Sequence, residues 1–257
     1  RRLPERLFLK DAEDMAQKSA RVREIARRLW TALGLPAGGQ EALGLAADWC
    51  KADLMSAMVG EFPELQGTMG MYYARAAGAD EAVAQAIREH YLPRHAGDEV
   101  PATLPGAVLA AADRLDTLAA CFAVGVVPTG SKDPLGLRRA AIGLLRLSME
   151  VPAMRDLPLR AWLDAVDPWA SGVRERVESF LGDRFRGLLT EEMGIPTDVA
   201  QAVGAVQHQP SAPDPLYRAT YLSHDLPSTL SPAQKALVTL RVRNDGNVVW
   251  PASGDSA

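Results

Sequence analysis

The chain has 257 residues, of which 47% are apolar and 23% charged, with a formal net charge of −4. This is the make-up of an ordinary globular protein, long enough for one large or two smaller cores, and it excludes disordered and collagen-like chains. The small negative charge excludes broad, non-specific nucleic-acid binding but leaves room for a local basic surface. Cys50 and Cys121 fall within apolar helical patterns and predict buried, reduced thiols, which points to a reducing compartment. No charged-then-apolar leader opens the chain. The most apolar window, Leu104 to Val127, carries Asp113, Arg114 and Asp116 and does not read as a membrane span. The sequence begins RRLPERLF without Met and ends PASGDSA, which reads as part of something longer.

The first predicted helix runs from Asp14 to Leu33, with Val22, Ile25, Ala26, Leu29, Trp30 and Leu33 at helical spacing and Gly34 closing it. Lys18, Arg21, Arg23, Arg27 and Arg28 surround its polar face, either as solvated charge or as an RNA contact. A Pro/Gly turn at 35–39 leads to a second helix, Gln40 to Val59, with a stripe of Leu43, Ala46, Ala47, Cys50, Leu54, Ala57 and Met58. Gly60 interrupts, and a third helix comes next, from Glu64 to Ala76. Asp80 N-caps a fourth, with Val83, Ala84, Ile87 and Tyr91 facing inward and Pro93 ending it.

Leu104 to Val124 is the most apolar helix, with Pro105 suited to its first turn. In the loop VVPTGSKDP, Asp133 and Pro134 form an N-cap and N1 start for a helix to Glu150. Leu137, Ala141, Leu144 and Leu145 face inward there, and Arg138, Arg139 and Arg146 outward. Shorter helices are predicted at Leu159–Val166, Ala170–Leu189 and Thr197–Val206. Three prolines in 207–215 read as a linker. Beyond it Val238, Leu240 and Val242 alternate with Thr239, Arg241 and Arg243, and a turn at 244–247 precedes Val248, Val249 and Trp250. That is a β-hairpin pattern too short to close a stable sheet alone. The expected organisation is all-α: a helical domain over 1–152, a helical extension over 153–206, a linker over 207–219 and an incomplete β segment over 220–257.

Lys51 to Arg94 places Asp53, Glu61, Glu64, Gln66, Tyr72, Tyr73, Glu89 and His90 among positions that read as buried helix, where polar groups must be paired or used. The first chemistry to weigh is a metal-dependent phosphohydrolase of the HD type, whose metal needs His and Asp ligands converging from successive helices, including an adjacent His-Asp pair. Here the place of that pair is Ala52-Asp53, without the histidine. Only His90 and His95 occur in the helical region, and His224-Asp225 lies past the linker. Asp53, His90, Asp113 and Asp116 are then expected as a vestigial pocket, satisfied by helix ends or arginines, with no metal and no catalytic residue. PTGSKDP has the residues of a phosphate loop but neither Walker A spacing nor a preceding strand. Tyr72, Tyr73 and Tyr91 are either core or stacking platforms. The better phosphate-contact candidates are Lys132, Arg138, Arg139 and Arg146.

The segments QKSARVREIA, KADLMSAMVGEFPELQGTMGMYYA, AIREHYLPRHAGDEVP and LAAADRLDTLAACFAVGVVPTGSKDPLGLRRAAIGLLR, in this order, resemble the HD-like region of the bacterial glycine-tRNA ligase β subunit. The likeness spans Phe8 to Val151, and RVESFLGDRFRGLLTEEMGIPTDVAQAV resembles the next segment of that family. The resemblance implies an HD-like helical domain in a cytoplasmic α2β2 ligase that joins glycine to tRNA with ATP. It further implies that the α subunit does the adenylate chemistry, that this chain contributes tRNA recognition and assembly, and that a second β subunit is a partner through the complex. The tail RATYLSHDLPSTLSPAQKALVTLRVRNDGNVVWP resembles the opening strands of an immunoglobulin-like module and suggests a fusion near 210–215. Two rivals remain: a degenerate HD-type phosphohydrolase using Asp53, His90 and Asp113, and a binding module carried by the β tail.

Overall fold

A computed structural model describes residues 3–9, 13–95, 97–192, 194 and 197, together with the backbone of 219–224 and 240–244. Two compact units are present, 1–188 and 189–257. In the first, a short antiparallel pair, β1 (Leu7–Leu9) and β2 (Glu13–Asp14), leads into α1 (Met15–Ala32). Asp14 closes a reciprocal cap: its carboxylate accepts from the N–H groups of Ala16 and Gln17, while Gln17 Oε1 accepts from Asp14 N at 3.0 Å. Then come α2 (Gln40–Trp49), α3 (Ala57–Glu61), α4 (Thr68–Ala76), α5 (Glu81–Glu89), α6 (Leu104–Ala123), α7 (Leu137–Glu150), α8 (Leu159–Asp164) and α9 (Val173–Gly187). The described residues are therefore mostly helical, as expected from the sequence.

The first unit is organised around α6, which packs against α1, α2, α5, α7 and α9. Its alanines at 107 and 110–112 are fully buried, and so little side chain lets neighbouring backbones approach from several directions. Because this helix is buried on nearly every side, its three charged residues have little access to water. They must find partners within the protein.

Several boundaries differ from the sequence reading. The second helix ends at Trp49; Ala52–Met55 form a 3₁₀ turn, and Ser56 starts α3 by accepting from Val59 N–H. A continuous helix fails here because Lys51 and Asp53 must both turn inward, which one amphipathic stripe does not permit. The third helix begins at Thr68, after Pro63–Leu65 and a Gly67 at φ +79°. The helix expected from Asp133 begins at Leu137, because Leu135 and Gly136 both take left-handed conformations, and the Asp133 carboxylate reaches past them to Arg138 N–H. Arg146, expected to face outward, is buried, and Lys18, expected on a solvated or RNA-facing side, is buried on α6. Cys50 and Cys121 are buried and free, as expected.

In the second unit, β3 (Ala219–His224) and β4 (Leu240–Asn244) pair antiparallel, with Ala219 opposite Asn244 and His224 opposite Leu240. The strand expected at 238–242 therefore has 219–224 as its partner, a segment to which the apolar periodicity assigned no strand. The helix at 197–206, the hairpin return at 248–250 and the linker up to 218 lie outside the described residues except for Thr197. No described helix is long and apolar enough to cross a membrane.

Candidate functional site

The polar residues of 51–94 and those of α6 meet in one buried cluster. Lys51 Nζ sits 2.8 Å from Asp113 Oδ2 and 3.0 Å from His90 Nε2, beneath the Tyr91 ring at 4.3 Å from its centroid. Lys18 Nζ approaches the other Asp113 oxygen at 3.0 Å, in ion-pair contact but poorly aligned for a hydrogen bond. It also donates to Asp116 Oδ2 at 2.9 Å and Thr117 Oγ1 at 2.8 Å. Arg21 Nε completes the set, 2.6 Å from Asp116 Oδ1. Two carboxylates are thus met by two ammonium groups and a guanidinium, an arrangement that offsets the desolvation cost of burying charge.

Hydrogen-bond logic fixes the state of His90. Its Nδ1 lies 2.6 Å from the Ile87 carbonyl, which can only accept, so Nδ1 carries the proton and Nε2 accepts from the Lys51 ammonium. Burial, reinforced by the Lys51 charge, holds the His90 pKa well below the usual imidazole value. Burial raises the Asp113 carboxylate pKa, but Lys18 and Lys51 overcome that and hold it well below the ordinary range. For Lys18, burial acts against the charge and the Asp113 and Asp116 carboxylates outweigh it, so its pKa is raised.

The donor set does not suit a metal. The His90 and Asp113 atoms that would ligate it already hold the Lys51 ammonium, and a cation at that place would meet a like charge. Asp53 lies apart from that grouping: its Oδ2 accepts from Gly67 N–H at 2.7 Å and Gly70 N–H at 3.2 Å, capping the start of α4. Gly67 is required there, since its φ is positive and a Cβ would lie 2.8 Å from the Tyr91 ring. Burial raises the Asp53 pKa. Arg114, next along α6, donates to the carbonyls of His90, Tyr91, Pro93 and Ala110 and so satisfies the C-terminal end of α5.

Of the sequence candidates, His90, Asp113 and Asp116 are joined through Lys51 and Lys18, while Asp53 serves a helix end. Lys51, Lys18, Arg21 and Thr117 were not among the pocket candidates. Lys18 could have been found, because it stands four residues before Val22 on the apolar stripe of α1, where an unpaired ammonium is not tolerated. Lys51 adjoins Cys50 at the end of another such stripe.

The basic candidates separate into two groups. Arg146, itself buried, donates to the carbonyls of His95 and Asp98 and pairs with the exposed Glu150. Lys132 and Arg139 are exposed, and Arg138 is half-buried. The loop before them closes on itself: Thr129 and Lys132 exchange both backbone hydrogen bonds around Gly130 and Ser131. Arg138 clamps it by donating to the carbonyls of Gly130, at 2.7 Å, and Lys132, at 3.4 Å. Lys132 and Arg138 therefore share one loop surface. With the Thr129 and Lys132 N–H groups turned toward each other, PTGSKDP is not built as an open phosphate cradle.

A family model described as glycyl-tRNA synthetase beta subunit matches residues 1–205. Among curated relatives, the glycine–tRNA ligase beta subunit of Desulfatibacillum aliphaticivorans is 41% identical over 212 residues, covering 80% of this chain and 30% of that protein. That of Pseudomonas aeruginosa is 40% identical over 243 residues, covering 90% and 34%. That of Picosynechococcus sp. is 37% identical over 246 residues, covering 94% and 33%. The chain spans about a third of the length of these relatives. The last two matches leave too few residues outside to hold everything beyond Val206, so they reach into the tail. With its first four fifths matched by one family model and most of its length aligned at about 40% identity, the chain belongs to the glycyl-tRNA synthetase beta subunit family.

Proposed function

We propose that this chain is the portion of a glycine–tRNA ligase β subunit that contributes tRNA handling and assembly, without catalytic residues of its own. The observation that carries the reading is the family match over 1–205. The buried cluster supports it: of the groups the rival hydrolase would use, His90 and Asp113 are committed to Lys51, and Asp53 lies apart from them at the start of α4, so the three do not form one ligand set. In this reading the α subunit forms the glycyl adenylate from ATP, a second β subunit completes an α2β2 assembly, and the complex works in the cytoplasm. Lys132, Arg138 and Arg139 contact tRNA phosphates, where cations fix position rather than sequence. The tail is a continuation of the β subunit rather than an immunoglobulin-like fusion, a reading supported by the two alignments that pass Val206.

Reconstitution tests this. A full-length β subunit carrying the chain, mixed with an α subunit, should give charging that depends on glycine, ATP and tRNA; deletion of residues 1–205 should abolish it. Charging that survives the deletion, or none in any reconstitution, overturns the reading.

A further inference from the structure

Leu135 is the one described non-glycine residue with a left-handed backbone, at φ 57° and ψ 13°, and the residue is 55% exposed. A leucine in that conformation is unfavourable, and here more than half of the residue is open to water, so burial does little to offset it. Pro134 precedes it and Gly136, at φ 67°, comes after it, so the turn holds the side chain at its tip. The Arg139 guanidinium lies over Gly136, within 2.8 Å of where a Cβ would stand, which places a cation beside the tip. Arg138 ties the 130–132 loop to the start of α7 by donating to the Gly130 and Lys132 carbonyls.

The charge around this tip is one-sided. Asp133 is the only acidic residue between Asp116 and Glu150, and its carboxylate accepts Arg138 N–H at 3.1 Å. Among the described residues no carboxylate pairs with Lys132, Arg138 or Arg139. An exposed apolar group on a turn next to Arg139, and tied through Arg138 to the loop that carries Lys132, matches a unit that joins an anion to an apolar face, which is what a nucleotide is: phosphodiester oxygens beside a sugar and base.

We propose that Leu135 docks against the sugar-and-base face of an unstacked nucleotide while Lys132 and Arg139 take the flanking phosphodiesters. The inference rests on the tRNA-handling reading above and goes beyond it: the loop reads an exposed nucleotide, not phosphate charge alone. Leu135→Asn isolates the apolar contact, because Asn tolerates the left-handed backbone. Lys132→Gln and Arg139→Gln isolate the charge.

The experiment is binding of the 257-residue chain to a transcribed glycine-accepting tRNA, measured by fluorescence anisotropy across a salt series, with thermal unfolding of each variant. Leu135→Asn should weaken binding about fivefold, as expected for losing the burial of part of one leucine side chain. It should leave the salt slope unchanged and the Tm equal or higher. Lys132→Gln and Arg139→Gln should each reduce the salt slope by about one. If Leu135→Asn binds as the parent does while the charge variants weaken, the proposal is overturned and the tRNA reading stands. If the parent chain does not bind tRNA, the tRNA reading falls and takes the proposal with it. If Leu135→Asn leaves tRNA binding intact but weakens capture of an α subunit, the loop is a protein contact and the proposal is overturned.

Discussion

Lys51 Nζ lies 3.0 Å from His90 Nε2, both residues buried, so a neutral imidazole that the sequence offered as a metal ligand accepts from an ammonium instead. The same ammonium is 2.8 Å from Asp113. A fixed, covalently attached cation gives the pocket its charge balance and closes it to other cations. Its consequences are measurable.

Removing Lys51 should be costly. In Lys51→Met the Asp113 carboxylate keeps only Lys18, and the expected loss is about 3–5 kcal/mol of stability, the usual result of breaking a buried charge pair. Asp113→Asn should cost at least as much, since both Lys18 and Lys51 lose a partner. Urea midpoints with unchanged m-values would establish both; a change under about 1 kcal/mol in either would contradict the cluster's role.

The His90 environment sets an acid limb. The unfolded imidazole takes up a proton near its usual 6.5, whereas the folded one does so only well below that. Between those values the unfolded state binds more protons, so stability falls as pH falls, by about 1.4 kcal/mol per pH unit from this group. His90→Gln, whose amide oxygen can accept from Lys51, should flatten the stability profile between about pH 5 and 6.5. An unchanged slope would assign the acid limb to other groups.

Gly106 faces Glu89 at close range: an added Cβ would crowd Glu89 Oε2 and lie 2.8 Å from Glu89 Cβ. Glu89 is itself fixed, accepting from Thr103 N–H and its hydroxyl at the start of α6. Gly106→Ala should therefore destabilise by about 2–3 kcal/mol through crowding and a displaced cap. A Tm within a degree of the parent would show that Glu89 can move aside.

Burial pushes the Cys50 thiol up to about 12 and the Cys121 thiol up to about 11. Both should resist a thiolate-selective disulfide reagent at about pH 8 while the protein is folded and react promptly in urea. Fast reaction of either in the folded protein would mean that the end of α2, for Cys50, or α6, for Cys121, opens locally.

Among the basic candidates, Arg146→Gln should act on stability and leave the salt dependence of tRNA binding unchanged, because its guanidinium serves the carbonyls of His95 and Asp98. Lys132→Gln should do the reverse. The pair, measured by chemical unfolding and by salt-dependent binding, distinguishes an internal arginine from an interface lysine.

The sequence by itself determined that the chain is built of helices, roughly where α1, α5 and α6 run, and which family it belongs to, because periodic apolar stripes and long ordered motifs are local properties. It also determined that Ala52-Asp53 lacks a histidine. It could not show that Lys51 fills the pocket beside His90 and Asp113, because that depends on bringing the end of α5 and the middle of α6 against the segment before the 52–55 turn, contacts between residues 39 and 62 positions apart. Nor could it separate Arg146 from Arg139: both are arginines on one helix, and only the packing of α7 turns one toward the His95 and Asp98 carbonyls and leaves the other exposed. The strand partner of 240–244 and the left-handed Leu135 were also decided in three dimensions, where pairing and close approach outweigh local preference.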